Sequence, residues 1–237
     1  DAIKKISGIK LISIVDLNLR RATRLAESFR HCSAEKGWNN VLANKEIEAI
    51  IVATHNKFLA PISYAGIRVK KHVLCEKPAG LNSEEIRRNI GLARKNRIVY
   101  MIGFNHRYHP AFSLAKKLFD QRKIGRGLFI RARYGFGGRK NYAKDWRFNK
   151  DISGGGELID QGVHMIDLAR WFLGDFTDVY GWAENLFWGG EVEDNGFLLL
   201  RSKAGGVASI QVSWTNWKWI HSFEIYGESG YLTIEGL

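Results

Sequence analysis

The sequence predicts an α/β fold followed by an α+β fold: an incomplete, doubly wound parallel sheet, and then a domain with a large, mostly antiparallel sheet. In the first half, short apolar runs alternate with helical patterns, which is typical of βαβ units. In the second half, one long helix is followed by strand-like runs separated by glycines, which is typical of an antiparallel sheet. We therefore predict two domains, residues 1–104 and residues 105–237.

The elements of the first half follow from the spacing of apolar residues. The predicted strands cover 9–15, 48–54, 72–75 and 98–104, and the predicted helices cover 1–7 (a helix end), 19–29, 61–70 and 83–96. The run 48–54 is apolar almost throughout, which indicates a strand buried on both faces of the sheet. Ser83 is the predicted N-cap of the last helix, because its hydroxyl can accept a bond from a free main-chain N–H group.

The second half of the sequence has a different order of predicted helices and strands. The predicted helices cover 110–120 and 158–173, a polar loop covers 137–151, and the predicted strands cover 127–135, 179–187, 196–202, 207–214, 222–226 and 231–234. Gly174 is the predicted C-cap of the long helix, since glycine tolerates the left-handed backbone that often ends a helix. We expect this helix to pack on the antiparallel sheet.

The composition indicates a globular chain with an excess of positive charge. The formal net charge is +12, and residues 1–103 hold 19 Lys and Arg against 9 Asp and Glu. The excess of positive charge in the first half is compatible with an anionic ligand such as a nucleotide. The basic residues are scattered, however, which favours solvated helix faces, and we predict no nucleic-acid partner. The two cysteines, Cys32 and Cys75, imply no disulfide framework and favour a reducing, cytoplasmic location. No apolar run reaches the roughly 18 residues of a membrane span, so no membrane partner is predicted.

Polar residues stand where the predicted strands of the first half end. Asp16 follows the first strand, Thr54-His55-Asn56 follows the second, and Glu76-Lys77-Pro78 follows the third. Ligands of open α/β sheets bind at the carboxyl ends of the strands. An acid at the end of the first strand can accept both ribose hydroxyls of NAD and would repel the 2′-phosphate of NADP. Pro78 restricts Lys77 to an extended conformation that aims it at this crevice, although an isolated Glu-Lys-Pro is usually a solvated loop.

The long helix has a glycine-rich entrance, Gly154-Gly155-Gly156, and carries Asp160 and His164 four residues apart. This spacing brings both side chains to one face of a helix, where they can form one wall of an active site. The alternative interpretation is a core helix with a hydrogen-bonded histidine. Asp160, His164 and Asp167 have a spacing that a metal could use, but no ligand cluster on another element supports it, and we predict no metal site.

Five sequence segments, in a fixed order along the chain, carry a family resemblance. They are Val15-Asp16-Leu17-Asn18 with Arg21-Ala22, Ile51-Val52-Ala53-Thr54-His55-Asn56, His72-Val73-Leu74-Cys75-Glu76-Lys77-Pro78, Gly103-Phe104-Asn105-His106-Arg107-Tyr108-His109-Pro110, and Gly154-Gly155-Gly156 with Asp160-Gln161-Gly162-Val163-His164-Met165-Ile166-Asp167. Together they resemble the glucose–fructose oxidoreductase/inositol dehydrogenase (Gfo/Idh/MocA) family of NAD(P)-dependent sugar and polyol oxidoreductases. Glu-Lys-Pro alone is a weak signal, whereas Glu-Lys-Pro followed about eighty residues later by Asp-x-x-x-His is specific.

The resemblance implies a Rossmann domain followed by a substrate and oligomerisation domain, and hydride transfer between nicotinamide and a carbinol carbon of a sugar, polyol or nucleotide sugar. Lys77, Asp160 and His164 resemble the catalytic residues of the family. The implied cofactor-binding residues are Asp16, Thr54, Asn56, Glu76, Lys77, Asn105, Trp146 and Arg147. Elementary chemistry agrees, because a histidine suits removal of a hydroxyl proton and an ammonium stabilises the developing alkoxide. NAD is the expected cofactor, with NADP as the alternative, and it supplies the hydride chemistry.

Two features depart from the family pattern. Leu59 stands where family members often carry a histidine, and we expect a slight effect on the cofactor pocket. The family begins with a strand and a Gly-x-Gly-x-x-Gly turn, whereas residues 1–30 contain no such pattern. We therefore expect a fragment of a longer protein, shortened at its other end as well, that is inactive by itself; a signal peptide would lie in the missing part.

Two other functions stay open at this point. Some relatives are non-catalytic regulators that sense a dinucleotide, and the presence of Lys77, Asp160 and His164 argues against that function here. Others resemble glycosidases and use bound NAD for a transient oxidation, which the resemblance does not exclude. The aromatic run 214–219 could stack on a sugar or form a subunit interface; we favour the interface and expect a homo-oligomer through the C-terminal sheet.

Overall fold

The structure is a computed structural model that describes residues 2–236. The chain divides by its contacts into two compact units, and each is described by itself. The first unit contains the residues up to Val52, Pro61–Cys75 and Arg87–Met101. The second contains Ala53–Ala60, Glu76–Ile86 and the residues from Ile102 onward, so two loops that follow strands of the first half group with the second unit.

The first half of the chain alternates strands and helices. Its elements are α1 (Ala2–Lys5), β1 (Ser13–Val15), α2 (Leu19–Ala26), β2 (Ser33–Glu35), α3 (Asn39–Ala43), β3 (Ala49–Val52), α4 (Asn56–Arg68), β4 (His72–Cys75), α5 (Ser83–Asn96) and β5 (Tyr100–Ile102). The strands form two small sheets, a parallel pair β1–β2 and a three-stranded sheet in the order β3-β4-β5 in which β3 and β4 are parallel. The α/β character predicted for this half is confirmed.

Several local predictions for this half are wrong, and each has a physical reason. β3 is not buried on both faces: among the described residues it pairs only with β4, and the Ile51 side chain is 57% exposed. α4 begins at Asn56 and contains Pro61, so this proline does not open the helix. The N-cap of α5 is Asn82 rather than Ser83, because Asn82 Oδ1 accepts a hydrogen bond from Glu85 N at 3.0 Å. Short elements without strong periodicity, β2 and α3, were not predicted.

The second half contains one six-stranded sheet. Its elements are a 3₁₀ turn (Asn105–Tyr108), α6 (Pro110–Asp120), β6 (Gly127–Gly135), 3₁₀ turns at Tyr142–Lys144 and Trp146–Phe148, α7 (Lys150–Ser153), a π turn (Leu158–Gly162), α8 (Val163–Leu173), β7 (Phe176–Glu184), β8 (Asn195–Ser202), β9 (Val207–Ser213), β10 (Ile220–Gly227) and β11 (Gly230–Glu235). The strand order is β11-β10-β6-β9-β8-β7, with β6 and β9 parallel and the other neighbours antiparallel. The prediction of a mostly antiparallel sheet is confirmed.

The core of the second unit lies between α8 and one face of this sheet. Met165, Leu168 and Ala169 of α8 are fully buried against sheet residues such as Ile130 and Phe223. Burying this apolar surface is the main force that holds the helix on the sheet. Gly174 caps α8 with φ 82°, as predicted. The packing of α8 on the sheet holds in place the helix next to which the candidate site lies.

None of the helices within residues 2–236 combines the length and the apolar character needed to cross a bilayer.

Candidate active site

A close backbone contact sets the start of the site helix. A Cβ atom placed on Gly156 would lie 1.8 Å from the carbonyl oxygen of Glu193, so only glycine fits there. The next residue, Glu157, donates its N–H to that same carbonyl at 3.0 Å. The chain then forms the π turn that contains Asp160 and continues as α8, which begins one residue before His164. Such π turns occur frequently at functional sites.

The loop after β4 and the site helix meet at Lys77 and Asp160. Lys77 Nζ donates to Asp160 Oδ1 at 2.7 Å and to the main-chain oxygen of Asp160 at 2.5 Å. Both side chains are largely buried, with 19% and 17% exposed. The Lys77–Pro78 peptide bond is cis. An ammonium and a carboxylate that are 83 residues apart in sequence thus form one charged pair.

A second cation contacts the other oxygen of Asp160. Arg147 Nε donates to Asp160 Oδ2 at 2.9 Å, and Arg147 also donates to Asp145 Oδ1 at 3.1 Å. Asp145 in turn pairs with the exposed Arg139. From Asp160 outward, negative and positive side chains therefore alternate in the order Asp160, Arg147, Asp145, Arg139. Lys77 and Arg147 thus bond both side-chain oxygens of Asp160, so this one side chain orients two cations.

His164 lies beside this pair and is buried, with 6% of its surface exposed. Its ring stacks on that of His106 at a centroid distance of 4.0 Å and an angle of 12°, and Phe104 meets it edge-on at 6.0 Å. Burial, and then the charges of His106, Lys77 and His221, lower the pKa of His164 to about 2. The imidazole is therefore neutral at physiological pH.

Glu157 is a fully buried carboxyl group at the base of the site. Its two carboxyl oxygens have no well-formed hydrogen bond within the described part of the chain. Burial, and then the charge of Asp160, raise the pKa of Glu157 well above the ordinary value for a glutamate. We expect a neutral acid here, because an isolated buried carboxylate is costly.

The other residues predicted to bind the cofactor lie in different environments. Trp146 stacks on His55 at 4.6 Å, and the guanidinium of Arg147 lies 4.8 Å from its ring. Asn56 is buried and donates from Nδ2 to the Ser153 carbonyl at 2.8 Å. Exposed positions are occupied by Thr54, Glu76 and Asn105. Leu59, where the family often has a histidine, is fully buried.

Asp16 belongs to the first unit. It directly follows β1, and its Oδ1 accepts the main-chain N–H of Asn18 at 2.7 Å. Asn18 caps α2 by accepting a bond from Arg21 N. The carboxylate thus sits at the carboxyl end of a parallel strand, partly exposed, which suits a residue that accepts ribose hydroxyls.

Two further sequence features have clear structural roles. Asp167 accepts two hydrogen bonds from Arg107, at 2.7 and 2.6 Å, so it forms a bidentate ion pair.

In residues 2–236 no three His, Cys, Asp or Glu side chains converge as a metal site would require. Within the aromatic run, Trp214 is fully buried, whereas Trp217 and Trp219 are 64% and 73% exposed.

The sequence prediction missed four residues of this region: Glu157, His106, His221 and Asp145. His106 lies inside a quoted motif and Glu157 lies between the two parts of another, so their position beside the site could have been found. Asp145 directly precedes Trp146-Arg147 and its charge was a usable signal. His221 is on β10, and no local pattern distinguishes it from an ordinary strand residue.

The arrangement offers an ammonium for a developing alkoxide and a neutral imidazole for a proton, both beside a fixed carboxylate. Such a set can move a proton to or from a hydroxyl group. The donor set of the second unit therefore fits an alcohol or carbonyl group beside a nicotinamide.

Comparisons with known proteins point in the same direction. Residues 2–104 match the family model described as an oxidoreductase family with an NAD-binding Rossmann fold, and residues 112–233 match the GFO/IDH/MocA C-terminal domain. The chain is 30% identical to levoglucosan dehydrogenase from Pseudarthrobacter phenanthrenivorans, covering 94% of this chain and 61% of that protein. It is 26% identical to inositol 2-dehydrogenase from Rubrobacter xylanophilus, covering 98% of this chain and 66% of that protein.

The fold also matches solved structures. A levoglucosan dehydrogenase in complex with NADH and levoglucosan superposes with a TM-score of 0.88 at 30% identity, covering 94% of this chain and 64% of the other. The chain thus spans a little under two thirds of the length of these relatives.

Proposed function

This chain belongs to the GFO/IDH/MocA family of oxidoreductases, and we propose that the protein it forms transfers a hydride between a nicotinamide dinucleotide and a carbinol carbon of a sugar, polyol or nucleotide sugar. One observation carries this proposal. Lys77 Nζ is bonded to Asp160, and the buried, neutral His164 lies one turn further along the same helix. This is the set of groups that alcohol oxidation needs besides the hydride acceptor.

We propose the following roles for the three residues. His164 accepts the hydroxyl proton in the oxidation direction and returns it in the reduction direction. Lys77 holds the substrate oxygen and stabilises the negative charge that develops on it. Asp160 keeps the ammonium of Lys77 in place through two of its oxygens, the main-chain oxygen and Oδ1.

NAD is the proposed cofactor and supplies the hydride acceptor when bound. Asp16 would accept the ribose hydroxyls, and its charge would disfavour the 2′-phosphate of NADP. Thr54, Asn56, Glu76, Lys77, Asn105, Trp146 and Arg147 are the further residues proposed to contact the cofactor. The bonds of Arg147 to Asp160 and Asp145 support a second role for it, which is to position the catalytic carboxylate.

The test is a panel of sugars, polyols and nucleotide sugars, each with NAD and with NADP, assayed by nicotinamide absorbance on the complete protein. Turnover of at least one alcohol or ketone, abolished in Lys77→Met, is expected. Binding of dinucleotide without turnover of any compound would favour the regulator. Release of a sugar from a glycoside without net change in nicotinamide absorbance would favour the glycosidase-like alternative.

We also propose a homo-oligomer formed through the outer face of the six-stranded sheet. Cross-strand pairs of large apolar residues support it: Tyr180 lies opposite Leu199, and Trp182 lies opposite Phe197. Tyr180 and Trp182 are 72% and 64% exposed, and such patches commonly mark interfaces. Light scattering of the complete protein is expected to show an oligomer that Tyr180→Glu dissociates and Lys203→Glu, in the exposed β8–β9 turn, does not.

The full sequence has only two cysteines, Cys32 and Cys75, far apart along the chain, and this scarcity supports our proposal that the protein works in the cytoplasm. Cell fractionation with an antibody to the protein tests this location.

A further inference from the structure

The orientation of His164 has no hydrogen-bond explanation in this site. A catalytic histidine is usually oriented by a bond from its second ring nitrogen to a carboxylate or carbonyl. His164 Nδ1 is buried and has no hydrogen-bond partner among residues 2–236. The nearby carboxylate of Asp160 is bonded to Lys77 and Arg147 instead.

Packing must therefore determine the plane of this ring. His106, from the turn Asn105–Tyr108, covers one face of His164 at 4.0 Å and 12°. Phe104 meets the ring nearly at a right angle, at 6.0 Å and 85°. A face-on and an edge-on neighbour together restrict both the tilt and the rotation of the imidazole.

Aromatic residues of the six-stranded sheet also pack against His106. His221 of β10 meets it edge-on at 5.7 Å, and Tyr134 of β6 lies at 5.5 Å. His221 in turn packs against Phe112, a fully buried core residue. His106 Nδ1 and both ring nitrogens of His221 also have no hydrogen-bond partner in the described part of the chain. His164 and His106 face to face, with His221 edge-on to His106, thus form one cluster of three rings that is anchored in the core, and it is called the stack below.

We propose that His106 is a positioning residue for the reaction: its ring, stacked on His164 and backed by His221, holds the plane of the base and covers one face against water. This inference rests on the proposed role of His164 as the base. It assigns a function to a histidine that has no chemical step of its own in the proposed reaction.

The charges around the stack agree with this role. The titratable groups that face His164 are Lys77 from the loop after β4, His106 from its turn and His221 from β10. Burial, followed by neighbouring positive groups, lowers the pKa of His106 and of His221 to about 4 each. All three imidazoles are therefore neutral at physiological pH, and neutral rings stack without mutual repulsion.

The stack predicts distinct effects for two substitutions at one position. His106→Ala removes the covering ring, so water reaches His164 and the base loses its fixed plane. We expect the pKa of His164 to rise toward the ordinary histidine value of about 6.5. We also expect kcat to fall on the order of tenfold to a hundredfold with little change in KM, because only the proton transfer depends on this plane. His106→Phe keeps an aromatic ring on His164 and should restore both properties.

The experiment measures histidine ring chemical shifts by NMR from pH 5 to 8 in the complete protein, with His164→Asn used to assign the signal. The kcat and KM of each variant are measured in parallel. His31→Asn is the control, because His31 is an exposed histidine of the first unit that does not belong to the stack. His106→Gln, which fills space but cannot stack well, is measured as well and replaces His106→Ala if that variant does not fold.

An unchanged His164 titration and unchanged kcat in His106→Ala and His106→Gln would overturn the proposal. A lower thermal midpoint with normal kcat and titration would also overturn it, since that result indicates a purely structural residue. Full activity in His164→Asn would instead contradict the proposed base. The NMR titration of His164 in the His106 variants would still report on the stack, so the two failures are distinguishable.

Discussion

Lys77 Nζ lies 2.7 Å from Asp160 Oδ1 and 2.5 Å from the main-chain oxygen of the same residue. The ammonium is thus tied to the backbone of the π turn as well as to a side chain. Two of its three donors are used by Asp160, which leaves one donor for another oxygen. Lys77 is therefore not a solvated loop lysine, and this relationship supports our proposal that its ammonium binds a substrate oxygen.

Lys77→Met in the complete protein is expected to lower kcat/KM by about a thousandfold. The reason is that the ammonium acts on charge that exists only near the transition state, so NAD affinity should change little. Steady-state kinetics and calorimetric titration with NAD measure the two effects. Lys140→Met, at an exposed position of the 137–151 loop, is the control and should behave as wild type.

Turnover near the wild-type rate in Lys77→Met would contradict the proposed role of the ammonium. Loss of NAD binding together with turnover would indicate that Lys77 serves the cofactor alone.

His164→Asn is expected to lower kcat/KM by about 10²- to 10⁴-fold, the usual contribution of a general base. The rate–pH profile of the wild type should show no limb near pH 6.5 that is due to His164. Burial, and then His106, Lys77 and His221, hold its pKa at about 2, so the basic form persists across pH 5–8. The sequence alone suggests a titration within a unit or two of 6.5, and the buried position of His164 corrects that expectation. A limb near 6.5 that disappears in His164→Asn would show that the base titrates normally.

His221→Phe is expected to make the protein more resistant to acid. The folded pKa of His221 is about 4 because of burial, and then the charge of His109, while the unfolded value is about 6.5. A group with a lowered folded pKa contributes its full stability above the unfolded pKa, and that contribution is lost as pH falls toward the folded pKa. This loss amounts to about 3 kcal/mol near pH 4, and phenylalanine does not bind the proton.

Urea unfolding between pH 7 and 4 measures this effect on the free energy of unfolding. His31→Asn, an exposed histidine of the first unit, should leave the pH dependence unchanged. A His221→Phe variant whose stability falls as steeply as that of the wild type would disprove the prediction.

Glu157→Gln is expected to stabilise the protein at neutral and alkaline pH. Burial, and then Asp160, raise the folded pKa of Glu157 well above the ordinary value. The unfolded chain releases this proton near pH 4.3, so the stability associated with the neutral acid is full below that pH and is lost as pH rises. Glutamine is neutral at every pH and nearly the same shape, so its advantage should grow from pH 4 to 8.

Denaturant unfolding of Glu157→Gln and wild type at several pH values provides the measurement. Glu157→Ala is the comparison, because it removes the charge but leaves a cavity and should be less stable than Glu157→Gln throughout. A stability difference between Glu157→Gln and wild type that does not vary with pH would mean that Glu157 is ionised in the folded protein.

Asp16→Ser is expected to raise the KM for NAD and to improve the use of NADP. The change removes acceptors for the ribose hydroxyls and a negative charge that repels the 2′-phosphate. Arg20 and Arg21, close by in sequence, can contact that phosphate in the variant. Initial rates with both cofactors give the ratio of kcat/KM values, and equal use of NAD and NADP by the wild type would show that Asp16 points elsewhere.

The sequence located most helices and strands of the second unit, because their apolar periods are long and regular. Predictions from the sequence were less accurate where contacts between distant parts of the chain determine the structure. The sequence predicts β3 to be buried on both faces, yet the Ile51 side chain is 57% exposed, and among the described residues β3 pairs only with β4. The sequence predicts that α4 begins at Pro61, whereas the helix begins at Asn56. The side chain of Asn56 donates a hydrogen bond to the Ser153 carbonyl. Neither fact is encoded in local propensity.

Local periodicity and spacing along the chain were enough to predict the fold class, the family motifs, and the positions of Lys77, Asp160 and His164. The partners of these residues are set by packing in the folded chain. Asp160 bonds Lys77 and Arg147 rather than His164, while His164 stacks on His106, which His221 meets edge-on. These contacts join residues from separate loops and strands, and burial at their meeting point changes the pKa of each imidazole. Local sequence cannot specify such burial, because it is produced by packing between elements that are distant along the chain.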